Sequence, residues 1–108
     1  MYSVSGNNIS LTRGDTLLLT IDLTNSDGTP YEAANGDVLR FAMKRKIKDE
    51  ECLIYKEIPT DTFLLELEPS DTKELSFGKY VYDIELTTAV GRVTTIVIGN
   101  LNLTEEVY

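Results

Sequence analysis

The chain contains no histidine, no tryptophan, a single cysteine and only three prolines. Without histidine, the usual general base at neutral pH and the commonest metal ligand are both missing. Ser/His and Cys/His nucleophilic arrangements are excluded with it. The lone Cys52 closes no internal disulfide and is too little for a zinc site. Glu50 and Glu51 beside it disfavour a thiolate, so its expected role is that of a small apolar filler on a strand. Positive charge is also scarce: 10 Lys+Arg stand against 18 Asp+Glu, a net charge of -8. That balance argues against nucleic acid and against anionic membrane surfaces as partners. The one basic run, Lys44-Arg45-Lys46-Ile47-Lys48, is followed at once by Asp49-Glu50-Glu51 and reads as a solvated loop. Apolar runs are no longer than Leu17 to Leu19 or Ile96 to Ile98, so no membrane-spanning segment is expected. The opening MYSVSGNN has neither the basic nor the apolar region of a signal peptide. There is no glycine-rich phosphate loop.

What the chain does have is alternation. With 42% hydrophobic residues in 108 positions, it carries enough apolar material for one core, and one domain spanning 1–108 is expected. Apolar residues recur at every second position in Ile9 and Leu11; in Leu17, Leu19, Ile21 and Leu23; and in Leu39, Phe41 and Met43. They do so again in Phe63, Leu65 and Leu67, and in Tyr80, Tyr82, Ile84 and Leu86. Strands are accordingly expected over Asn7–Thr12, Thr16–Leu23, Asp37–Lys44, Cys52–Ile58, Thr62–Glu68, Lys79–Thr88 and Arg92–Thr104. In Cys52–Ile58, Ile54 and Ile58 oppose Leu53 and Tyr55, the pattern of an edge or two-sided strand. Ile96 and Ile98 are out of step with Leu101 and Leu103, which places a β-bulge at Gly99-Asn100. Ser70 is the expected cap of a single helical turn running to Leu75, just before the strand that starts with Tyr80. Seven short strands separated by turn signals predict an all-β, immunoglobulin-like antiparallel β-sandwich. The disulfide and tryptophan that pin antibody domains are lacking, and a Greek-key barrel is the alternative.

No catalytic, cofactor-binding or metal-binding residue stands out, and no enzyme is expected. Asp22, Glu66, Glu68, Asp83 and Glu85 occupy outward strand positions, whereas a paired acid/base site needs a buried acid. Asp27, Asp37 and the Asp49-Glu50-Glu51 run offer oxygens for calcium but lack any EF-hand spacing; solvated turns are the expected role. Arg13-Gly14-Asp15 reads as a tight connection with both charges in water. Asn8-Ile9-Ser10 and Asn102-Leu103-Thr104 match the glycosylation triplet but fall inside expected strands. Leu18, Leu64, Val81, Val90 and Val93 are expected to face outward or sit at a rim, and would mark a contact face if gathered on one sheet. Cys52–Ile58 and the long last strand are expected to leave edges open to pairing with another subunit.

Four stretches, ISLTRGDTLLLTIDL (Ile9–Leu23), DVLRFAMKRK (Asp37–Lys46), IPTDTFLLELEPSDTKELSFGKYVYDIEL (Ile58–Leu86) and TIVIGNLNLTEEV (Thr95–Val107), together resemble a known family. The chain is similar to small tail or baseplate proteins of phages and prophages of Gram-positive bacteria. The likeness is to the N-terminal immunoglobulin-like domain of upper-baseplate-type proteins. The resemblance implies a non-enzymatic virion component, assembled in the bacterial cytoplasm. Its partners would be other tail or baseplate proteins or itself, as a homo-oligomer in the assembly. Such a domain anchors a longer protein to the tail tip and helps carry receptor-binding proteins. Here no downstream coiled coil or receptor-binding module follows, so a stand-alone accessory subunit or a prophage remnant is expected as readily as an adaptor. No site residue carries over from the family. The alternative reading is a bacterial immunoglobulin-like adhesion or carbohydrate-binding module, for which Tyr31, Tyr55 and whichever of Tyr80 or Tyr82 escapes the core are the candidate platform.

Overall fold

The computed structural model describes residues 2–105, with side chains from residue 6 onward. Among them, eight strands and one helical turn follow in order: β1 (Tyr2–Ser5), β2 (Asn8–Thr12), β3 (Leu17–Thr20), β4 (Val38–Lys44), β5 (Ile54–Ile58), β6 (Leu64–Leu67), α1 (Pro69–Thr72), β7 (Gly78–Thr87) and β8 (Val93–Thr104). Six of the strands form a curled mixed sheet in the order β1-β2-β8-β7-β4-β5, and β3 pairs with β6 in a small second sheet.

The period-two pattern becomes burial directly. Leu39, Phe41 and Met43 of β4, Tyr80, Tyr82, Ile84 and Leu86 of β7, Leu101 and Leu103 of β8, and Ile9 and Leu11 of β2 all point inward from the large sheet. Leu17 of β3, Ile21 just beyond it, and Leu65 and Leu67 of β6 meet them from the small one, in a single apolar cluster. Ile54 and Ile58 are buried while Leu53 and Tyr55 are exposed, so the mixed signal of this stretch has the phase expected of it, and β5 is an edge strand.

Several expectations are corrected. There is an eighth strand: Tyr2–Ser5 pairs with β2, Ser5 opposite Asn8, leaving Gly6-Asn7 as a two-residue turn with Gly6 at φ 60°. The sheet is not wholly antiparallel, because β2 runs parallel to β8, from Ile9 opposite Leu101 to Thr12 opposite Thr104. β2 covers only Leu101 to Thr104 of the long last strand; among the described residues Val93 to Asn100 pairs with β7 alone, so that half keeps the open edge expected of it. The bulge lies at Ile96, since Glu85 faces Thr95 while Ile84 faces Val97. The extra residue lets both Ile96 and Val97 lean on the core, and it turns Ile98 out to solvent.

Gly99 is needed for space and not for unusual backbone angles. A β-carbon there would lie 1.9 Å from the Asn7 carbonyl oxygen. The Tyr82 hydroxyl, directly across from Gly99, donates to that same carbonyl at 2.7 Å, and the Asn7 amide donates to the Ile98 carbonyl at 3.3 Å. Burial pushes the Tyr82 phenol above its ordinary pKa. An unfolded phenol ionises near pH 10, so this contribution is intact below about pH 10 and is lost as pH rises toward the higher folded value. Melting temperature is expected to fall as pH rises above about 10, with a shallower fall in Tyr82→Phe. Parallel slopes in thermal melts of the two proteins would disprove it.

The helical turn begins at Pro69 and is capped by Glu68, not Ser70. Pro69 holds the preceding residue extended, and the Glu68 amide donates to Asp71 at 2.7 Å. Behind it, the Thr72 hydroxyl accepts from the Gly14 amide at 2.9 Å, Arg13 donates to the Leu75 carbonyl at 3.1 Å, and the guanidinium lies over the Phe77 ring. The Arg13-Gly14-Asp15 turn is thus bolted to α1, and Arg13 is not in open water. After it, the Tyr80 hydroxyl donates to the Ser76 carbonyl at 2.6 Å, which closes the corner into β7.

Candidate contact face

The outward side of the large sheet is where exposed apolar residues converge. Cross-strand register sets Tyr55, Ala42, Asp83 and Ile98 in one row across β5, β4, β7 and β8. The next row holds Lys44, Val81 and Asn100. Ala42, Lys44, Val81, Asp83 and Ile98, with Ile47 of the following loop, line a shallow groove of about 160 Å³. Ile47 is 72% exposed, Tyr55 61%, Ile98 60% and Leu53 46%, which is high for large apolar side chains brought together on one surface. Of the five aliphatics expected to face outward, Val81 lines this groove, and Val93, in register with Thr87 and Val38, lies on the same outward side at the far end of the sheet. Leu18 and Leu64 lie diagonally on the small sheet, and Val90 is at a hairpin tip. Ile98 and Ile47 were not singled out from sequence, because their convergence depends on the bulge and on strand register.

Charges flank the groove in an ordered way. Lys44 and Lys79 stand toward one end of the strands, beside the Lys46–Lys48 loop. Asp83, Glu85 and Glu57 stand toward the other. Arg40 bridges two of these acids, at 2.5 Å to Asp83 and 2.9 Å to Glu85. Burial works against the Arg40 charge, but hydrogen bonds and attraction from the two carboxylates outweigh it and raise its pKa. Two of the five acids expected at outward strand positions, Asp83 and Glu85, are therefore clamped by one guanidinium, a cross-strand brace. Asp22, Glu66 and Glu68 are exposed and lie elsewhere.

The other candidates have local roles. The Asp27 carboxylate accepts from the Thr29 hydroxyl and amide, at 2.6 and 3.0 Å, and these bonds lower its pKa. Asp37 accepts from the Tyr31 hydroxyl and the Ala34 amide; the bond to Asp37 raises the Tyr31 pKa. Asp49 accepts from the Lys46 amide at 3.0 Å. Each carboxylate closes its own turn, and among the described residues no three or more acids, cysteines or histidines gather as a metal site. Cys52 is exposed and precedes β5, with its sulfur 2.7 Å from the Ile54 carbonyl oxygen, so it does not fill the core as expected. Tyr80 and Tyr82 are buried, which leaves Tyr55 as the most open of the four tyrosines considered for a flat platform. On the edge strand β5, Lys56 turns toward the interior side and pairs with Asp71 at 2.9 Å. An inward charge of this kind blunts an edge against strand addition.

Among the described residues no helix is long and apolar enough to cross a membrane. No protein-family model, curated protein or solved structure matches the chain significantly.

Proposed function

We propose that the chain is a non-enzymatic structural module of a phage or prophage tail or baseplate, working through protein–protein contacts. The observation that carries this reading is the apolar groove on the outward side of the large sheet, centred on Val81 and Ile98 and rimmed by Ile47 and Tyr55. A surface of this composition costs free energy while it faces water and regains it against another polypeptide. The immunoglobulin-like sandwich implied by the sequence resemblance agrees with two further features. The strand order β2-β8-β7-β4-β5 faces a β3-β6 pair across one core, and Tyr80, near the start of β7, closes a tyrosine corner onto Ser76. The adhesion or carbohydrate-binding alternative rests on Tyr55, a single exposed ring on that face.

Mass spectrometry of particles purified after prophage induction, from cells that carry the gene, tests the reading. Tail fractions are expected to contain the chain, cross-linked through Lys44 or Lys79 to a neighbouring subunit. Particles free of the chain would sink it, and glycan-array binding that disappears in Tyr55→Ala would favour the adhesin instead.

A further inference from the structure

Of the six asparagines in the chain, Asn35 alone is followed by glycine. Asn35-Gly36 forms the middle of the turn that leads into β4, where the Asp37 amide donates to the Ala34 carbonyl at 3.1 Å. Gly36 stands at φ 94° and Asn35 at negative φ, the pattern of a type II turn. Both residues are exposed. Among the described residues, neither the Asn35 side chain, the Asn35 carbonyl nor the Gly36 amide makes a hydrogen bond. We infer that Asn35 is a site of spontaneous deamidation, at which the folded chain converts itself to aspartate and isoaspartate.

The Gly36 backbone nitrogen gives up its proton to water or hydroxide and attacks the side-chain carbonyl carbon of Asn35. A C–N bond forms there, the bond to the side-chain nitrogen breaks, and ammonia leaves. The succinimide ring that remains takes up water. Opening on one side restores the peptide as aspartate; opening on the other moves the peptide onto the side-chain carbon, as isoaspartate. The net change is amide and water to acid and ammonia, with nothing oxidised or reduced. The turn permits this attack. Glycine sets no side chain beside the nitrogen. The Asn35–Gly36 peptide also lies outside the bonds that close the turn, the Asp37 amide to the Ala34 carbonyl and the Ala34 amide to the Asp37 carboxylate. It can rotate toward the side-chain carbon while those bonds hold.

Comparable positions are locked. Asp27-Gly28 would close the same ring with loss of water, but Thr29 holds the Asp27 carboxylate and the Gly28 amide donates to the Asn25 carbonyl at 2.9 Å. The Asn25 side chain is held by Thr29 and Pro30, that of Asn7 by the Ile98 carbonyl, and Asn8 and Asn100 hold each other. Asn102 lies within β8, flanked by Ser10 and Lys79 on paired strands, where the ladder fixes the backbone.

Either product sets a new carboxylate two residues from Asp37, whose own carboxylate accepts from the Tyr31 hydroxyl and the Ala34 amide. Isoaspartate also lengthens the backbone by a methylene in a turn with no slack. A β-carbon on Gly36 would lie 2.6 Å from that of Ala89, in the connection between β7 and β8. The isoaspartate form therefore loosens the Tyr31–Asp37 clamp at this end of the large sheet.

The folded chain, kept in mildly alkaline buffer and sampled over weeks, tests the inference. Peptide mass spectrometry is expected to show the amide-to-acid mass gain at Asn35 ahead of every other asparagine, and faster as pH rises. Electron-transfer fragmentation, which tells isoaspartate from aspartate, is expected to find both. Asn35→Gln, which would have to close a larger ring, is expected to lose the conversion. The isoaspartate form, separated by anion exchange, is expected to melt about 5 °C lower, the shift that one or two lost turn bonds produce in a domain of this size. An Asn35 that stays intact in the folded chain overturns the inference. So does modification of Asn25 or Asn102 at an equal rate, or an undiminished mass gain at residue 35 in Asn35→Gln. An isoaspartate form that melts with its parent overturns the loosening of the clamp. None of these results bears on the contact face or on whether the chain is found in particles.

Discussion

Gly99→Ala is expected to lower the melting temperature by about 15 °C, a loss of about 3 kcal/mol. The new β-carbon would have to share space with the Asn7 carbonyl oxygen, 1.9 Å away, and with the Asn7 carbonyl carbon at 2.9 Å. Both obstacles are backbone, so no rotamer change relieves the clash. Either β8 moves off β7 or the Gly6-Asn7 turn lifts away from the sheet. The second route breaks two bonds together, the Tyr82 hydroxyl to the Asn7 carbonyl and the Asn7 amide to the Ile98 carbonyl. It also leaves a buried phenol unpaired, which costs more than the bond itself contributed. Differential scanning calorimetry reads the effect, and a drop below about 3 °C would mean that the turn is easily displaced.

Phe41→Ala is expected to cost about 4 kcal/mol and to lower the urea midpoint by about 3 M. Phe41 is completely buried in the middle of β4, and its ring stacks on Tyr82 with centroids 5.4 Å apart. Truncation removes apolar contact with both sheets and opens a cavity that neighbours held in strands cannot fill. The aromatic pair adds a further loss of about 1 kcal/mol within that total. A chain of this size has about 5 to 15 kcal/mol of stability in all, so the variant is expected to be marginal at 37 °C. Equilibrium urea unfolding followed by tyrosine fluorescence measures it; a midpoint shift under about 1 M would show that the core collapses around the gap.

The inward faces of β2, β4, β6 and β7 were legible because each alternates cleanly and each has one wet side. Residue identity there is enough to orient every side chain. The Tyr2–Ser5 strand was not, since two polar serines and a four-residue length give little period to read, although Gly6-Asn7 is an acceptable two-residue turn. The bulge was detected by its effect, the phase break, but placed at the glycine. Its true position at Ile96 depends on which consecutive aliphatic pair the opposite wall can accommodate, a tertiary property. The parallel pairing of β2 with β8 left no trace in local pattern, because hydrogen-bond direction does not alter which residues point inward. The contact face was legible in Val81, Val93 and Tyr55 as separate outward residues, but not as a surface. Tyr55, Ala42 and Ile98 come from three separate strands, and their alignment is a matter of register across the sheet. Arg13 was misjudged for a related reason: whether an arginine in a turn meets water or an aromatic ring depends on what the chain lays beside it sixty residues later.

The parallel contact between β2 and β8 has a consequence for when this protein can fold. The Thr104 hydroxyl reaches the Leu11 carbonyl across 93 positions of sequence, and the strand that carries it lies between β2 and β7. Until β8 is in place, β1-β2 and β7-β4-β5 are two unjoined fragments, each with a bare flank. Completion waits on the closure of a loop that spans the 93 positions from Leu11 to Thr104, which makes folding slow.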